Sequence, residues 1–70
     1  MTESIKLRDE FIKLCQALKA AGLVGSGADA KDVIVNGLVK VNGEVEVRRG
    51  RKLYDGDTAE FEGNIIKICR

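Results

Sequence analysis

The side chains best suited to chemistry form a short basic segment in the second half of the chain. Arg48, Arg49, Arg51 and Lys52 supply four cations within five residues, and Gly50 divides them into two pairs. Arginine binds phosphate through two parallel N–H groups and also stacks on bases, so the segment favours a nucleic acid as its partner. A solvated run of charge is the plainer alternative, and the segment alone does not decide between the two.

A second candidate site is the start of a predicted helix. Ser26, with Asp29 three residues later, has the spacing of a capping serine followed by an acid. Gly25, Gly27 and Ala30 match a relaxed dinucleotide-binding fingerprint, but that fingerprint needs a preceding strand, and a helix is predicted there. Backbone N–H groups at a helix start still favour an anion such as a nucleic-acid phosphate. The alternative is that the serine only caps the helix and the glycines only shape the link.

The composition argues against catalysis and against a metal site. The chain contains no histidine, so the usual general base and every Cys–His or Ser–His pair are missing. The acids of Asp55-Gly56-Asp57 are more typical of a structural turn. Cys15 and Cys69 lack the spacing of a metal site, and we expect two reduced thiols, with a disulfide left open. We therefore expect no enzyme activity, no metal and no cofactor.

Charge is unevenly distributed along a chain of 70 residues whose net charge is only +1. Residues 1–30 carry four cations and four acids, residues 31–52 six cations and three acids, and residues 53–70 two cations and four acids. The cations are thus concentrated in the middle third. The length predicts a single domain over residues 1–70, and no apolar run is long enough to span a membrane. No leader segment is recognisable, so we expect a soluble, monomeric cytoplasmic protein.

Apolar spacing predicts an edge strand, two helices and two β-hairpins. The edge strand is expected at Ser4 to Leu7, the first helix from about Asp9 to Ala21, and the second from Ser26 to Asn36-Gly37, where the glycine can end a helix. Only a short link separates the helices, so they should form an αα-hairpin. Tyr54 either stacks on a base or, as we favour, packs against the sheet edge.

The two predicted hairpins differ in how well turn and pattern agree. A two-residue turn at Gly63-Asn64 would pair Phe61 with Ile66 on the buried face. Asn42-Gly43 is a strong signal for a two-residue turn, but such a turn would place valines and acids on one face. The sequence therefore predicts a bulge or a three-residue loop at this position, or only a very short first hairpin.

Three of these segments resemble a known family. They are S-G-A-D-A-K at residues 26–31, N-G-L-V-K-V-N-G-E at residues 36–44 and R-R-G-R-K-L-Y-D-G-D at residues 48–57. Together they resemble the RNA-binding domain of the ribosomal protein S-four type, and more narrowly its stand-alone bacterial YbcJ-type form. The resemblance extends over about residues 5–68. It implies an α+β fold, the alpha-L RNA-binding motif, in which a two-helix hairpin packs on a small bent antiparallel sheet.

The resemblance also implies where RNA would bind. In that family, RNA is contacted by the start of the second helix, by the adjoining hairpin and by nearby basic residues. The matching positions are Ser26, Gly27, Lys31, Lys40 and Asn42, together with Arg48, Arg49, Arg51 and Lys52 of the basic segment. Many relatives carry an arginine next to the serine, where this chain has Gly27 and Ala28.

The sequence as a whole is expected to encode a non-catalytic protein that binds structured RNA through this basic surface. Ribosomal RNA or transfer RNA is the expected partner. One alternative is a protein-interaction module that presents the same surface to an acidic protein. A small enzyme or nucleotide binder is a further alternative, which rests on the glycine fingerprint alone. No membrane partner is expected.

Overall fold

The computed structural model describes residues 2–70, which contain two helices and seven short strands joined by turns and loops. The helices are α1 (Leu14–Ala20) and α2 (Gly27–Val35). The strands are β1 (Thr2–Lys6), β2 (Ile12–Lys13), β3 (Val39–Val41), β4 (Glu44–Val45), β5 (Lys52–Leu53), β6 (Thr58–Phe61) and β7 (Asn64–Cys69). Five of the strands form one sheet in the order β1-β7-β6-β3-β4, and β2 pairs separately with β5.

The two helices pack on the main sheet, so the expected α+β class and architecture are confirmed. The predicted edge strand is also found, as β1, but it runs parallel to β7. The other pairings in the sheet are antiparallel, so the sheet is mixed rather than purely antiparallel. A parallel partner so distant in sequence leaves no signal in the local residue pattern, which is why the direction of β1 was not predicted.

One hydrophobic core joins the helices to the inner face of the sheet. Leu14 and Leu18 of α1, Ile34 of α2 and Ile66 of β7 are all fully buried within it. Residues alternate along the strands as a half-buried sheet requires, so Lys40 of β3 faces outward between two buried valines. The outward-facing residues of the sheet are therefore available for binding.

Helix α1 begins later than its apolar spacing predicts, at Leu14 rather than near Asp9. The preceding residues are drawn into the two-stranded pairing of β2 with β5. The N–H groups of Leu14 and Cys15 donate to the carbonyl oxygens of Arg51 and Arg49, at 2.8 and 3.2 Å. The first N–H groups of a helix need partners from outside it, and here the basic segment supplies two of them.

Helix α2 begins and ends as predicted. Ser26 caps it, since its Oγ accepts a hydrogen bond from the N–H of Asp29 at 3.2 Å. The helix ends at Asn36, and Gly37 follows with a φ of +76°, a conformation that glycine adopts without strain. Both ends depend on residues within a few positions of the boundary, so the local sequence was sufficient to place them.

The first hairpin turns through two residues, so the predicted three-residue loop is wrong. Asn42 and Gly43 have φ values of +51° and +85°, which is the pattern of a type I′ turn, and Val41 lies opposite Glu44. The hairpin is very short, as one of the predicted alternatives required, with β4 only two residues long. Its register places Glu46 on the buried side, together with the valines of β3.

The second hairpin has its turn one residue earlier than predicted, at Glu62-Gly63, where both φ values are positive. Phe61 therefore pairs with Asn64, and the predicted partnership of Phe61 with Ile66 is wrong. The register is shifted by two residues, which leaves every side chain on the face predicted for it. The buried face of the hairpin is thus correct although its pairing is not.

Candidate nucleic-acid interface

A single buried carboxylate organises the basic segment. Glu46 is 6% exposed, and its backbone N–H donates to the carbonyl oxygen of Val39 at 3.0 Å, which extends the first hairpin by one pair. Arg48 donates to this carboxylate from Nε at 3.0 Å, from Nη2 at 2.9 Å and from its backbone N–H at 3.1 Å. Arg51 donates from Nη1 at 2.7 Å. Two of the four segment cations are therefore held by one acid.

These hydrogen bonds keep Glu46 ionised. Donation from Arg48 and then from Arg51 lowers the pKa of Glu46 from 4.5 to about 2, although burial acts in the opposite direction. The same contact raises the pKa of Arg48. The carboxylate of Glu46 cancels one of the four positive charges of the segment. It also fixes the positions of the Arg48 and Arg51 guanidinium groups.

The cations of the basic segment differ in how freely they reach solvent. The side chain of Arg48 is 71% exposed and that of Arg51 is 34% exposed. Arg49 and Lys52 are exposed, and within residues 2–70 neither has a carboxylate within 4.0 Å. Lys52 instead places its Nζ 4.9 Å from the centre of the Phe11 ring, a cation–π distance. An open surface depression of about 530 Å³ is lined by the segment.

The basic segment is fixed at three places. Its carbonyl oxygens accept from the start of α1, Glu46 holds two of its side chains, and the N–H of Arg51 donates to the carbonyl oxygen of Arg48 at 3.2 Å. A loop held in this way loses less conformational freedom when it binds a ligand. The guanidinium groups of Arg48 and Arg51 are therefore preorganised, and the exposed side chains of Arg49 and Lys52 extend from the same fixed backbone.

The candidates on α2 lie on its exposed first turns. The oxygen of Ser26 is engaged in the helix cap, and Gly27 is the first residue of the helix. A side chain added at Gly27 would meet nothing within 4 Å, so the space beside the helix start is open. Lys31 is exposed one turn further on.

The hairpin candidates have different surroundings. Lys40 is exposed on the outer face of β3, between Val45 of β4 and Glu60 of β6. Asn42 ties the hairpin turn to the start of β6, since its Oδ1 accepts from the N–H of Thr58 at 2.9 Å and its Nδ2 donates to Asp57 at 3.1 Å. The structure thus gathers the basic segment into one group, and the joining of that group with Lys31 and Lys40 into one face stays a prediction.

Sequence reasoning missed two features of this region. One is Glu46, whose signal was a strong Asn-Gly turn that places it on the buried side, with arginines two and five positions later. The other is an aromatic pair: the rings of Phe11 and Tyr54 lie 5.9 Å apart with a tilt of 52°. Tyr54 packs against Phe11, and as a residue it is still 45% exposed to solvent.

Cysteines and acids are the other side chains that could form a site. Cys15 and Cys69 are free thiols, and the Sγ of Cys69 donates to the carbonyl oxygen of Ile5 at 3.4 Å. Among residues 2–70 no group of three or more His, Cys, Asp or Glu side chains is placed to hold a metal ion. Neither of the two helices described is long and apolar enough to cross a membrane. The basic segment and its surroundings are therefore the strongest candidate site.

Comparison with known proteins assigns the family. The sequence matches the family described as the S4 domain over residues 5–69. The chain belongs to the S4 domain family. It is 42% identical over 57 residues to YbcJ of Escherichia coli (strain K12), which is 81% of either chain. It is also 46% identical over 63 residues to the probable ribosome maturation protein RlbA of Bacillus subtilis (strain 168), 90% of this chain and 89% of RlbA.

The S4 domain fold has also been seen directly in a relative. The solution structure of E. coli YbcJ is described as revealing an alpha-L motif involved in RNA binding. It superposes on this chain with a TM-score of 0.71 at 38% identity and covers 99% of this chain and 86% of YbcJ. The predicted resemblance and the predicted architecture are thereby confirmed.

Proposed function

We propose that this chain is a non-catalytic RNA-binding protein of the cytoplasm. It recognises structured RNA, either ribosomal RNA or transfer RNA. The observation that carries the proposal is the basic segment, whose backbone is hydrogen-bonded to the start of α1 and whose Arg48 and Arg51 side chains are held by Glu46. The relatives support it, since YbcJ is described as having a motif involved in RNA binding and RlbA is named for ribosome maturation.

The arginines of the segment bind phosphate with the N–H groups that Glu46 leaves free. Arg48 uses Nε and one N–H of Nη2 on the carboxylate, so its outer edge remains open, and Arg51 uses only Nη1. Arginine carries enough donors in a rigid fork to serve a carboxylate and a phosphate at the same time. The carboxylate thus orients both side chains before RNA arrives.

The start of α2 and the first hairpin extend this surface in the proposal. Ser26 and Gly27 mark a helix start whose N–H groups favour a phosphate, and Lys31 and Lys40 are exposed cations that follow it in sequence. Asn42 fixes the turn of the first hairpin, and Lys40 lies on strand β3 of that hairpin. Contacts of this kind read backbone shape rather than base edges, which suits helical RNA.

A salt titration tests the proposal. With roughly 3–5 phosphate contacts, the logarithm of RNA affinity should fall against the logarithm of salt concentration with a slope of about −2 to −4. Arg49→Glu should weaken binding by about tenfold and flatten the slope, because Arg49 is exposed and has no carboxylate partner within residues 2–70. Fluorescence anisotropy with a structured RNA gives both values.

Lys67→Glu is the matched control, because it makes the same change of charge on the outer face of β7. It should leave affinity within about twofold of wild type if the basic segment is the interface. A flat salt response, or equal losses in the two variants, would contradict the proposal. If an acidic protein still co-purifies after nuclease treatment and competes with RNA, the protein-interaction alternative is favoured instead.

A further inference from the structure

A second cationic surface lies beside α1, outside the residues considered so far. A groove of about 570 Å³ runs between α1 and the segment that follows β1. Its lining includes three cations and one acid, Lys6, Arg8, Lys19 and Asp9, together with Gln16 and the ring of Phe11. The groove therefore combines excess positive charge, an amide and an aromatic surface.

Phe11 connects this groove with the basic segment. Its ring lines the groove, while the Nζ of Lys52 lies 4.9 Å from its centre. Lys52 in turn lines the depression formed by the basic segment. The ring of Tyr54 packs against Phe11 at 5.9 Å between centroids, and Tyr54 as a residue is 45% exposed. Groove, aromatic pair and basic segment are thus continuous.

We propose that this groove binds unpaired nucleotides of the RNA, with phosphates bound by Lys6, Arg8 and Lys19 and an adjoining base stacked on Tyr54, which lies next to the groove against Phe11. The inference rests on the proposed function and adds to it a class of ligand and a site. Aromatic side chains stack on bases that lie outside a double helix, and cationic grooves follow the backbone of single strands. The tilted packing on Phe11 holds the tyrosine ring in place for that contact.

Two RNA probes separate this inference from the proposed function. One is a blunt RNA hairpin, and the other is the same hairpin extended by a single-stranded oligouridylate tail. The tail should tighten binding to the wild-type protein by about tenfold, the effect of one or two stacked bases. Tyr54→Leu, which removes the ring but keeps an apolar contact with Phe11, should abolish that gain and leave affinity for the blunt hairpin unchanged.

Charge reversal tests the groove itself. Arg8→Glu combined with Lys19→Glu should remove the advantage of the tailed RNA, whereas Lys67→Glu should retain it, because Lys67 lines neither surface. Tyr54→Phe should also retain the advantage, since the ring remains. An unfolding curve should be recorded for each variant, so that binding is compared only among variants whose fold is intact.

The possible outcomes are distinct. If the tail adds nothing, or if Tyr54→Leu and the groove variants keep its full effect, this inference is overturned while binding of the blunt hairpin leaves the proposed function standing. If neither RNA binds, the proposed function fails first. A polyglutamate peptide that displaces the tail as well as oligouridylate does would assign the groove to acidic polypeptides and would also overturn the inference.

Discussion

Glu46 shows how one side chain can serve both the fold and the binding surface. A carboxylate that is only 6% exposed is costly unless charged donors surround it. Three hydrogen bonds from Arg48 and one from Arg51 supply those donors. Removing one partner from a buried ion pair leaves the other charge uncompensated, so both arginines contribute to folding as well as to any contact with RNA.

Neutralising Glu46 should therefore weaken both stability and binding. Glu46→Gln keeps the shape of the side chain but loses the charge-assisted hydrogen bonds, so we expect a cost of about 1–3 kcal/mol in the free energy of unfolding in urea. RNA affinity should also fall, because Arg48 and Arg51 are no longer held in place. Glu44→Gln is the control: it makes the same change of charge at an exposed position of the same hairpin. Equal effects of the two variants would show that Glu46 has no special role.

Acid should weaken the fold through the same residue. The pKa of Glu46 is about 2 in the folded chain against an ordinary value of 4.5, so folding favours its ionised form. That contribution to stability is fully present above about pH 4.5 and is lost as the pH falls through about 2. The unfolding free energy of the wild type should fall more steeply over this interval than that of Glu46→Gln. Parallel curves for the two proteins, from urea unfolding at several pH values, would contradict the assignment.

Residue types alone identified the cations of the basic segment but not the acid that holds them. The sequence predicts a bulge, a three-residue loop or a very short hairpin at Asn42-Gly43, because a two-residue turn places valines and acids on one face. A buried acid is costly unless it is paired. The structure offsets that cost with Arg48 and Arg51, which lie beyond the hairpin. Ion pairs with arginines two and five positions after the acid thus override the alternation of valines and acids.

At the level of elements, predictions succeeded where the signal was local. The cap at Ser26 and the stop at Asn36-Gly37 placed α2 correctly. The start of α1 was wrong because its first N–H groups find partners in the distant basic segment, and no property of residues 9–13 shows that. In the second hairpin the buried and exposed faces were predicted correctly, but the register was not. Its two-residue turn has glycine at the second position, Gly63, as the first hairpin has Gly43, whereas the prediction placed Gly63 at the first position.

Asn42 should stabilise the junction between the first hairpin and β6 in two separable ways. It adopts a φ of +51°, which few residues other than glycine and asparagine tolerate, and its side chain bonds Thr58 and Asp57. Asn42→Gly relieves the backbone and removes only the hydrogen bonds, and we expect a loss of about 1–2 kcal/mol in urea unfolding. Asn42→Ala should lose more, because the strain is added.

The second hairpin supplies the control for that experiment. Glu62 has the same φ of +51°, and its side chain makes no hydrogen bond or ion pair within residues 2–70. Glu62→Gly should therefore change the unfolding free energy by less than about 1 kcal/mol. If Asn42→Gly were equally mild, the hydrogen bonds of Asn42 would not be what joins the hairpin to β6.

At the scale of the whole molecule, function depends on where charge lies rather than on its sum. A net charge of +1 gives little long-range attraction for a polyanion, so binding must rely on local groups of cations. The sequence predicted the family, the fold class and the residues of the basic segment. It could not show how α2 and the first hairpin are oriented about that segment, because their orientation is set by packing in the core rather than by local pattern.

The start of α2 offers a gain-of-function test of that arrangement. Gly27 follows the capping serine, is exposed, and a Cβ atom added to it would meet nothing within 4 Å. If this helix start faces the RNA together with the basic segment, Gly27→Arg adds a phosphate contact. Affinity should then rise several-fold, and the slope of log affinity against log salt should steepen by about one unit.

The energetics of the helix allow this change, so a negative result would be informative. Gly27 is the first residue of the helix, so replacing it gains less than the ~1 kcal/mol typical of a helix interior, and a cation near the positive end of the helix dipole costs about 0.3–1 kcal/mol. Unfolding curves should therefore change little. Gly27→Gln, long but neutral, controls for the new side chain and should leave the salt slope unchanged. An unchanged slope for Gly27→Arg as well would place the start of α2 outside the interface, because no cation added within reach of a phosphate can leave the number of released counterions the same.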